Sequence, residues 1–437
     1  MLLISTYELG RQPFGLASPA AWLRADGHVV TMADLSCAPL PREAVEQADL
    51  VAFYLPMHTA TRLFLRVVDR VRAANPRARL CGYGLYAWLN EGLLRQAGLA
   101  TVIGGEFEQG LLDLARGTEA RGCTVSLERQ RFLVPDRNGL PPLNAYAQLI
   151  TNGSARTVGY TEASRGCKHL CRHCPVVPVY GGRFRVVQPD VVLEDVRRQV
   201  AAGAQHITFG DPDFFNGPGH AIGIVEALHQ EWPHLTYDVT IKIEHLLKHG
   251  NRLGALKRTG CLFVTSAVES LDDAVLDKLR KGHTRADFDA ALKRLRAEGL
   301  SMAPTFIPFT PWTTRQGYRL FLRALAGLGL AGQVAPIQLA IRLLIPEGSL
   351  LLELPEVRAI IQPYDAHALC YPWRNPDPAM DALCQQVQAA IKREERRRSG
   401  RIEIFRRIWE LADAGPFPDL PIPARATIPY LTEPWYC

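Results

Sequence analysis

The chain has 437 residues, 47% of them hydrophobic and 22% charged, with a formal net charge of +6. That length exceeds one ordinary core and implies two or three domains, and the balance excludes a disordered or fibrous chain. No run of 18 apolar residues occurs, so no membrane-spanning helix and no membrane partner are expected. The excess positive charge is concentrated in Lys392-Arg393-Glu394-Glu395-Arg396-Arg397-Arg398. This run reads as a solvated helix face, because no aromatic side chains interleave with the charges as on a nucleic-acid platform.

The first residues, Met1-Leu2-Leu3-Ile4-Ser5, are apolar without a preceding basic segment and read as a strand, not as a signal peptide. A cytoplasmic location is therefore expected. The ten cysteines then sit in a reducing compartment, where clustered cysteines point to metal or catalysis and not to disulfides.

Residues 1–118 alternate strand and helix: strands at 2–5, 28–32, 50–55, 80–82 and 101–103, helices at 17–26 and 59–74. The pattern predicts a doubly wound parallel sheet. Residues 119–157 lack periodicity, carry Pro-Asp-Arg-Asn-Gly and Pro-Pro turns, and read as a linker with room for a hairpin. From residue 158 the alternation restarts, with strands at 158–163, 205–209, 235–243, 261–268, 301–309 and 334–344. Helices are expected near 189–202, 218–231, 245–258, 272–280, 286–298 and 314–328. Such βα units with right-handed crossovers predict a partial (β/α)6 TIM-like barrel over 158–347. Residues 348–437 read as a helical extension, one long amphipathic helix over 377–412 followed by a Pro-rich tail.

The segment Cys167-Lys168-His169-Leu170-Cys171-Arg172-His173-Cys174 has the spacing CxxxCxxC and follows the first predicted barrel strand. Barrel chemistry sits at the C-terminal ends of strands. Three thiolates in one loop can hold three irons of a cubane that ordinarily takes four cysteines, which leaves one iron open. The competing reading is a zinc site completed by His169 or His173.

CxxxCxxC after the first strand of a partial barrel resembles the radical SAM superfamily. The resemblance implies a [4Fe-4S] cluster on Cys167, Cys171 and Cys174 that binds S-adenosylmethionine (SAM) and cleaves it reductively to a 5'-deoxyadenosyl radical. An electron donor such as flavodoxin or ferredoxin is implied with it. The residue before the third cysteine, often aromatic in the superfamily, is His173, whose imidazole can still stack on a purine. Phe209-Gly210-Asp211-Pro212-Asp213-Phe214 stands where relatives carry a GGE-type motif, which implies Gly210, Asp211 and Asp213 at the methionine amino group. A plain turn capped by Asp is the alternative. Strand three carries Thr240, Lys242 and Glu244. Strand four ends in Glu269-Ser270, followed by Leu279-Arg280-Lys281-Gly282-His283-Thr284, similar to an ES…L…KG.T pattern. Lys242, Glu269 and Ser270 are thereby implied as partners of the ribose hydroxyls and SAM carboxylate. Strand five runs into Pro308-Phe309-Thr310-Pro311, without the glutamate that relatives carry in G-x-P-x-E-T.

Residues 1–118 resemble a cobalamin-binding domain in Asp49-Leu50-Val51 and in Gly104-Gly105-Glu106-Phe107-Glu108. The D-x-H-x-x-G motif that supplies a lower axial histidine is missing. Two readings stand: cobalamin binds without a protein histidine, or the domain shapes a substrate cavity. His58, after the third strand, is the histidine placed to approach a corrin. Gly82-Tyr83-Gly84-Leu85-Tyr86-Ala87 spells a dinucleotide fingerprint but sits in a later βα unit than such a site requires.

Over nearly its whole length the chain is similar to a radical SAM group named for a CUAEP or CCAEP tail, in which U is selenocysteine. This implies that Cys437 opens that motif and that the coding DNA continues past a UGA codon, which sequencing beyond codon 437 tests; a plain tail is the other reading. Cys81 and Cys261 read as apolar fillers. Cys37, Cys123, Cys370 and Cys384 show no ligand spacing. The expected activity is cobalamin-dependent methylation of an unactivated carbon in a small-molecule or peptide substrate. A cobalamin-independent radical rearrangement or bond formation, and a non-enzymatic iron–sulfur or zinc sensor, are the alternatives.

Overall fold

The structure, a computed structural model, describes residues 1–118, 123–151, 153–420 and 430–432. Strands β1 (Leu2–Ser5), β2 (Thr31–Asp34), β3 (Leu50–Tyr54), β4 (Arg79–Tyr83), β5 (Thr101–Gly105) and β6 (Cys123–Ser126) form one sheet in the order β2-β1-β3-β4-β5-β6. All its pairs are parallel. The unbroken apolar run of β3 follows from burial on both faces. Val51 and Phe53 pack with Phe64, Val68 and Val71 of helix His58–Ala74. Leu50, Ala52 and Tyr54 pack with Leu16, Ala20 and Leu23 of helix Phe14–Ala25. The chain winds outward in one direction from β1 and in the other from β3, and ligands of such sheets bind at the strand C-termini beside that switch.

The second sheet holds β7 (Gln148–Thr151), β8 (Ser154–Thr161), β11 (His206–Phe209), β12 (Thr236–Thr240), β13 (Cys261–Glu269), β14 (Ser301–Phe306) and β15 (Tyr430–Leu431). Its order is β14-β13-β12-β11-β8-β7-β15. The pairs from β8 to β14 are parallel, whereas β7 runs antiparallel to both β8 and β15. Helices Pro189–Ala201, Pro218–Glu231, Arg285–Ala297 and Arg315–Gly327 share one apolar core with β11 to β14. A small antiparallel pair, β9 (Ser164–Gly166) with β10 (Phe184–Val186), stands at the end of β8.

Several elements differ from expectation. The stretch read as linker supplies β6 to the first sheet and β7 to the second, because strands this short show too little alternation to stand out. The second strand lies at Thr31–Asp34, a few residues beyond 28–32. The expected sixth barrel strand is a 3-10 turn, Pro336–Leu339, with one parallel bridge between Phe309 and Arg342. Pro308, Pro311 and Pro336 lack the N–H that a ladder needs. The helix expected over 245–258 is two helices, Ile243–Lys248 and Leu253–Arg258. The long helix expected over 377–412 is likewise two, Pro378–Arg396 and Arg401–Leu411. They are broken where Arg398 takes a left-handed φ of 59° and Ser399 turns back onto Glu394. No helix of the described residues is long and apolar enough to cross a membrane.

Residues between the barrel and these last helices reach back to the first domain. Tyr364 Oη donates to Asn90 Oδ1 at 3.2 Å, and His58 Nε2 lies 2.6 Å from the Ala368 carbonyl oxygen.

Candidate functional site

The cysteine loop is held between β9 and β10. Gly166, with φ at 75°, turns the chain into it, and a Cβ there would run into the Tyr180 ring and the Arg183 carbonyl, so only glycine fits. Barrel elements pin the loop from both sides. Arg172 N donates to the Leu279 carbonyl at 3.0 Å, and Asn216 Nδ2 donates to the Gly166 carbonyl at 3.3 Å. Cys167 and Cys171 are buried and Cys174 is half-buried. Burial raises the Cys167 thiol and pushes Cys174 up to about 12, with the neighbouring cysteine charges adding to the rise and Lys281 opposing it.

Glu269 ends β13 at a register shift with a left-handed φ of 67°, a strained position for a non-glycine residue. Its Oε1 lies 3.3 Å from Lys281 Nζ and 3.1 Å from His173 Nε2. Burial alone would raise this carboxyl, but the Lys281 ammonium and His173 outweigh it and hold it at about 2. The same pairing keeps Lys281 above the usual lysine range despite burial, with Cys171 and Cys174 adding to the rise. His173 is thus fixed beside the loop by the strand-four carboxylate. Lys281 belongs to this group and was not singled out from the sequence; its position in the Lys-Gly turn after strand four was the signal.

The strand-two residues brace the loop from below. Asp211 accepts from Ala163 N at 2.9 Å and from Ser164 Oγ at 2.5 Å, and burial pushes its carboxyl up to about 7. Asp213 is fully buried and caps the turn Phe214–Asn216 by accepting from Phe215 N. Its other oxygen faces His245 Nδ1 at 2.6 Å and His169 Nε2 at 3.4 Å. Burial favours the neutral acid here, yet the two histidines bring Asp213 below the usual carboxylate range. Gly210 leaves room for the Tyr160 hydroxyl, which occupies the place of a Cβ. Lys242 is buried at the end of strand three, 3.7 Å from Glu244. Ser270 accepts from Asp272 N and lines, with Glu269, Thr313 and Thr314, a cavity of about 230 Å³.

A second cavity, of about 250 Å³, lies between the two domains. The first domain contributes residues that follow β1, β3, β4 and β5, among them Glu8, Met57, Leu85 and Phe107. The barrel contributes Tyr160, Arg165, Gly166 and Tyr180. Arg165 knits the domains together: Nη1 donates to Glu106 at 3.1 Å and Glu108 at 2.9 Å, and Nε to Glu162 at 2.7 Å. Glu108 stays ionised below its usual range although buried, because Arg165 and Ser18 bond to it. Glu106, buried against the same guanidinium, is pushed up to about 7. Burial, and after it the neighbouring Glu162, raise the Glu8 carboxyl well above its usual range, and its Oε2 finds no hydrogen-bond partner among the described residues. No histidine is among the residues lining this cavity. His58 is committed to Ala368 instead. Cys437 and the tail motif lie outside the described residues.

Residues 161–316 match the sequence profile of the Radical SAM superfamily. The chain is 26% identical over 335 residues to the hopanoid C-3 methylase of Methylococcus capsulatus, a match covering 71% of this chain and 64% of that relative. It is 24% identical over 251 residues to the bacteriochlorophyllide d C-12(1)-methyltransferase of Chlorobaculum tepidum, covering 55% of this chain and 53% of the relative. Among solved structures it is similar to the radical S-adenosylmethionine methyltransferase TsrM from Kitasatospora setae, solved with tryptophan and a SAM analogue. The TM-score is 0.70 at 15% identity, over 89% of this chain and 88% of that one. It is also similar to the cobalamin-dependent radical enzyme OxsB with aqua-cobalamin bound, with a TM-score of 0.67 at 13% identity over 90% and 66% of the two chains. These likenesses agree on the fold, a doubly wound sheet set against a half-barrel. With a three-cysteine loop at the mouth of that half-barrel and the profile matched across it, residues 161–316 are a radical SAM domain.

Proposed function

We propose that this chain is a cobalamin-dependent radical SAM methylase that acts on an unactivated carbon of a small-molecule substrate. One observation carries the reading: Gly166, which precedes the first cysteine of the loop, also lines the cavity at the strand ends of the first domain. The cysteine loop and the natural ligand site of a doubly wound sheet therefore adjoin.

The donor set suits a four-iron cluster. Cys167, Cys171 and Cys174 are free of disulfides, share one loop, and have the Lys281 cation beside them to favour thiolates. They would hold three irons and leave one for the methionine part of SAM. The cavity suits a flat macrocycle in kind, with Leu9, Met57, Leu85 and the rings of Tyr54, Phe107 and Tyr160 on its walls, and must widen to admit one. Lacking a lining histidine, it would hold the corrin without a protein imidazole. When bound, the cluster supplies the electron that cleaves SAM, delivered by a donor such as flavodoxin or ferredoxin, and the corrin supplies a methyl carrier.

The chain's own groups position these partners. Glu269 keeps His173 and Lys281 beside the cysteines, so that the His173 ring is a fixed flat surface for a purine. Lys242 and Ser270 offer a cation and a hydroxyl at the same barrel mouth for the SAM carboxylate and ribose. Asp211 and Asp213 secure the loop and the turn that face them.

The reading is tested by anoxic reconstitution with iron and sulfide, followed by SAM and dithionite. 5'-Deoxyadenosine or S-adenosylhomocysteine should form, and Cys171→Ala should abolish both. A fully loaded cluster that produces neither overturns the reading. Expression with cobalamin should yield protein that carries corrin absorbance. Its absence leaves the cobalamin-independent radical enzyme as the function.

A further inference from the structure

Behind the cysteine loop three buried polar atoms converge without hydrogen bonds. Asp213 Oδ2 lies 2.6 Å from His245 Nδ1 and 3.4 Å from His169 Nε2. The Asp213 and His245 side chains are 0% and 1% exposed. None of the three atoms makes an aligned hydrogen bond among the described residues. The thiol of Cys167 joins them: its sulfur, a ring nitrogen of His169 and a carboxylate oxygen of Asp213 all lie within 4.8 Å of one another. Buried polar atoms are almost always paired. Cys167, His169 and Asp213 thus share the arrangement of ligands around a cation, whereas His245, 2.6 Å from Asp213, stands where it orients that carboxylate. In a tetrahedral zinc site, metal–nitrogen and metal–sulfur bonds of about 2.0–2.3 Å place neighbouring ligand atoms about 3.3–3.6 Å apart. The His169–Asp213 separation of 3.4 Å has that value. Glu244 Oε2 sits 3.4 Å from His169 Nδ1. A carboxylate at that nitrogen sets the tautomer that leaves Nε2 free as a ligand.

We propose that Cys167, His169 and Asp213 form a mononuclear divalent-metal site for zinc or a zinc-like ion, with His245 orienting the Asp213 carboxylate. One thiolate, one imidazole and one carboxylate suit such a cation, with a fourth position left for water. The inference rests on the reading of Cys167 as a cluster ligand for its consequence: the same sulfur belongs to two sites, so an ion held here competes with cluster assembly.

Cobalt(II) alone, titrated into anoxic, chelator-stripped full-length protein, tests the site. One equivalent should bind, with tetrahedral d–d bands and a thiolate charge-transfer band. The signal should persist in the double variant Cys171→Ala/Cys174→Ala. It should be lost in Asp213→Asn and in His169→Gln, each checked for folding by circular dichroism, and weakened in His245→Gln. Glu244→Gln, a milder change, should weaken binding about tenfold. Zinc added before iron and sulfide should slow the rise of cluster absorbance in the wild type and not in His169→Gln. Cobalt bands that vanish with Cys171 and Cys174, or no stoichiometric binding, overturn the proposal. Metal-free reconstitution separates the two readings. A cluster that forms and consumes SAM without any cobalt site sinks this inference alone, and a cobalt site without SAM consumption sinks the function alone.

Discussion

At Glu269 a carboxylate out of water meets a lysine ammonium and an imidazole. Its folded-state carboxyl, held at about 2, lies below the unfolded value of about 4.3, so the stability it contributes is present above that value and is lost as pH falls toward 2. Glu269→Gln leaves Lys281 buried without a counter-charge and should cost about 3–5 kcal/mol in denaturant unfolding. A cost under 1 kcal/mol would refute the buried pairing. Glu106 has the opposite sign. Pushed up to about 7, it favours the folded state below the unfolded pKa and loses that contribution as pH rises through 7. Unfolding free energy from denaturant titrations at pH 5 to 8 should therefore fall in the wild type more than in Glu106→Gln, by a margin on the order of 2 kcal/mol. Equal slopes would refute it. These residues show how far single positions were legible. Glu269 and His173 stood out in the sequence by family pattern. Lys281 stood in the same pattern without an assigned role, and Arg165 did not stand out at all, because a buried cation is defined by what surrounds it, and its partners lie in distant segments.

The β9–β10 clip is the element that presents the cysteines. Gly166 sits in it with a positive φ and no space for a Cβ. Gly166→Ala should leave far-UV circular dichroism unchanged yet lower the iron retained per chain after reconstitution, since strain here moves Cys167 directly. Full iron loading in this variant would show that the clip is not needed. The long parallel strands were readable from their apolar runs, with β1 and β3 placed to within a residue. The clip, β6 and β7 were not, because strands of three or four residues carry no period and exist only through their partners. The broken C-terminal helix escaped for the converse reason. Its apolar stripe continues across Arg398–Gly400, as both helices pack on the same core.

Across the whole molecule, the two sheets direct their strand ends at one cavity, and the Arg165 knot closes it. His58, the histidine that the sequence offers to a corrin, points instead to Ala368. His58→Ala should therefore leave the corrin absorbance unchanged, and electron paramagnetic resonance of the reduced cobalt should show no splitting from a protein nitrogen. Nitrogen splitting that disappears in His58→Ala would overturn this placement. The sequence by itself determined the two-sheet architecture and the three thiols that can hold a cluster, because hydrophobic period and ligand spacing are local properties written within a few residues. Tertiary structure alone decided which carboxylates are spent on bracing, which cation stands beside the sulfurs, and that Asp213 faces two histidines. Those facts depend on burial and on contacts between segments far apart in the chain, where the cost of removing charge from water selects partners that local sequence does not reveal.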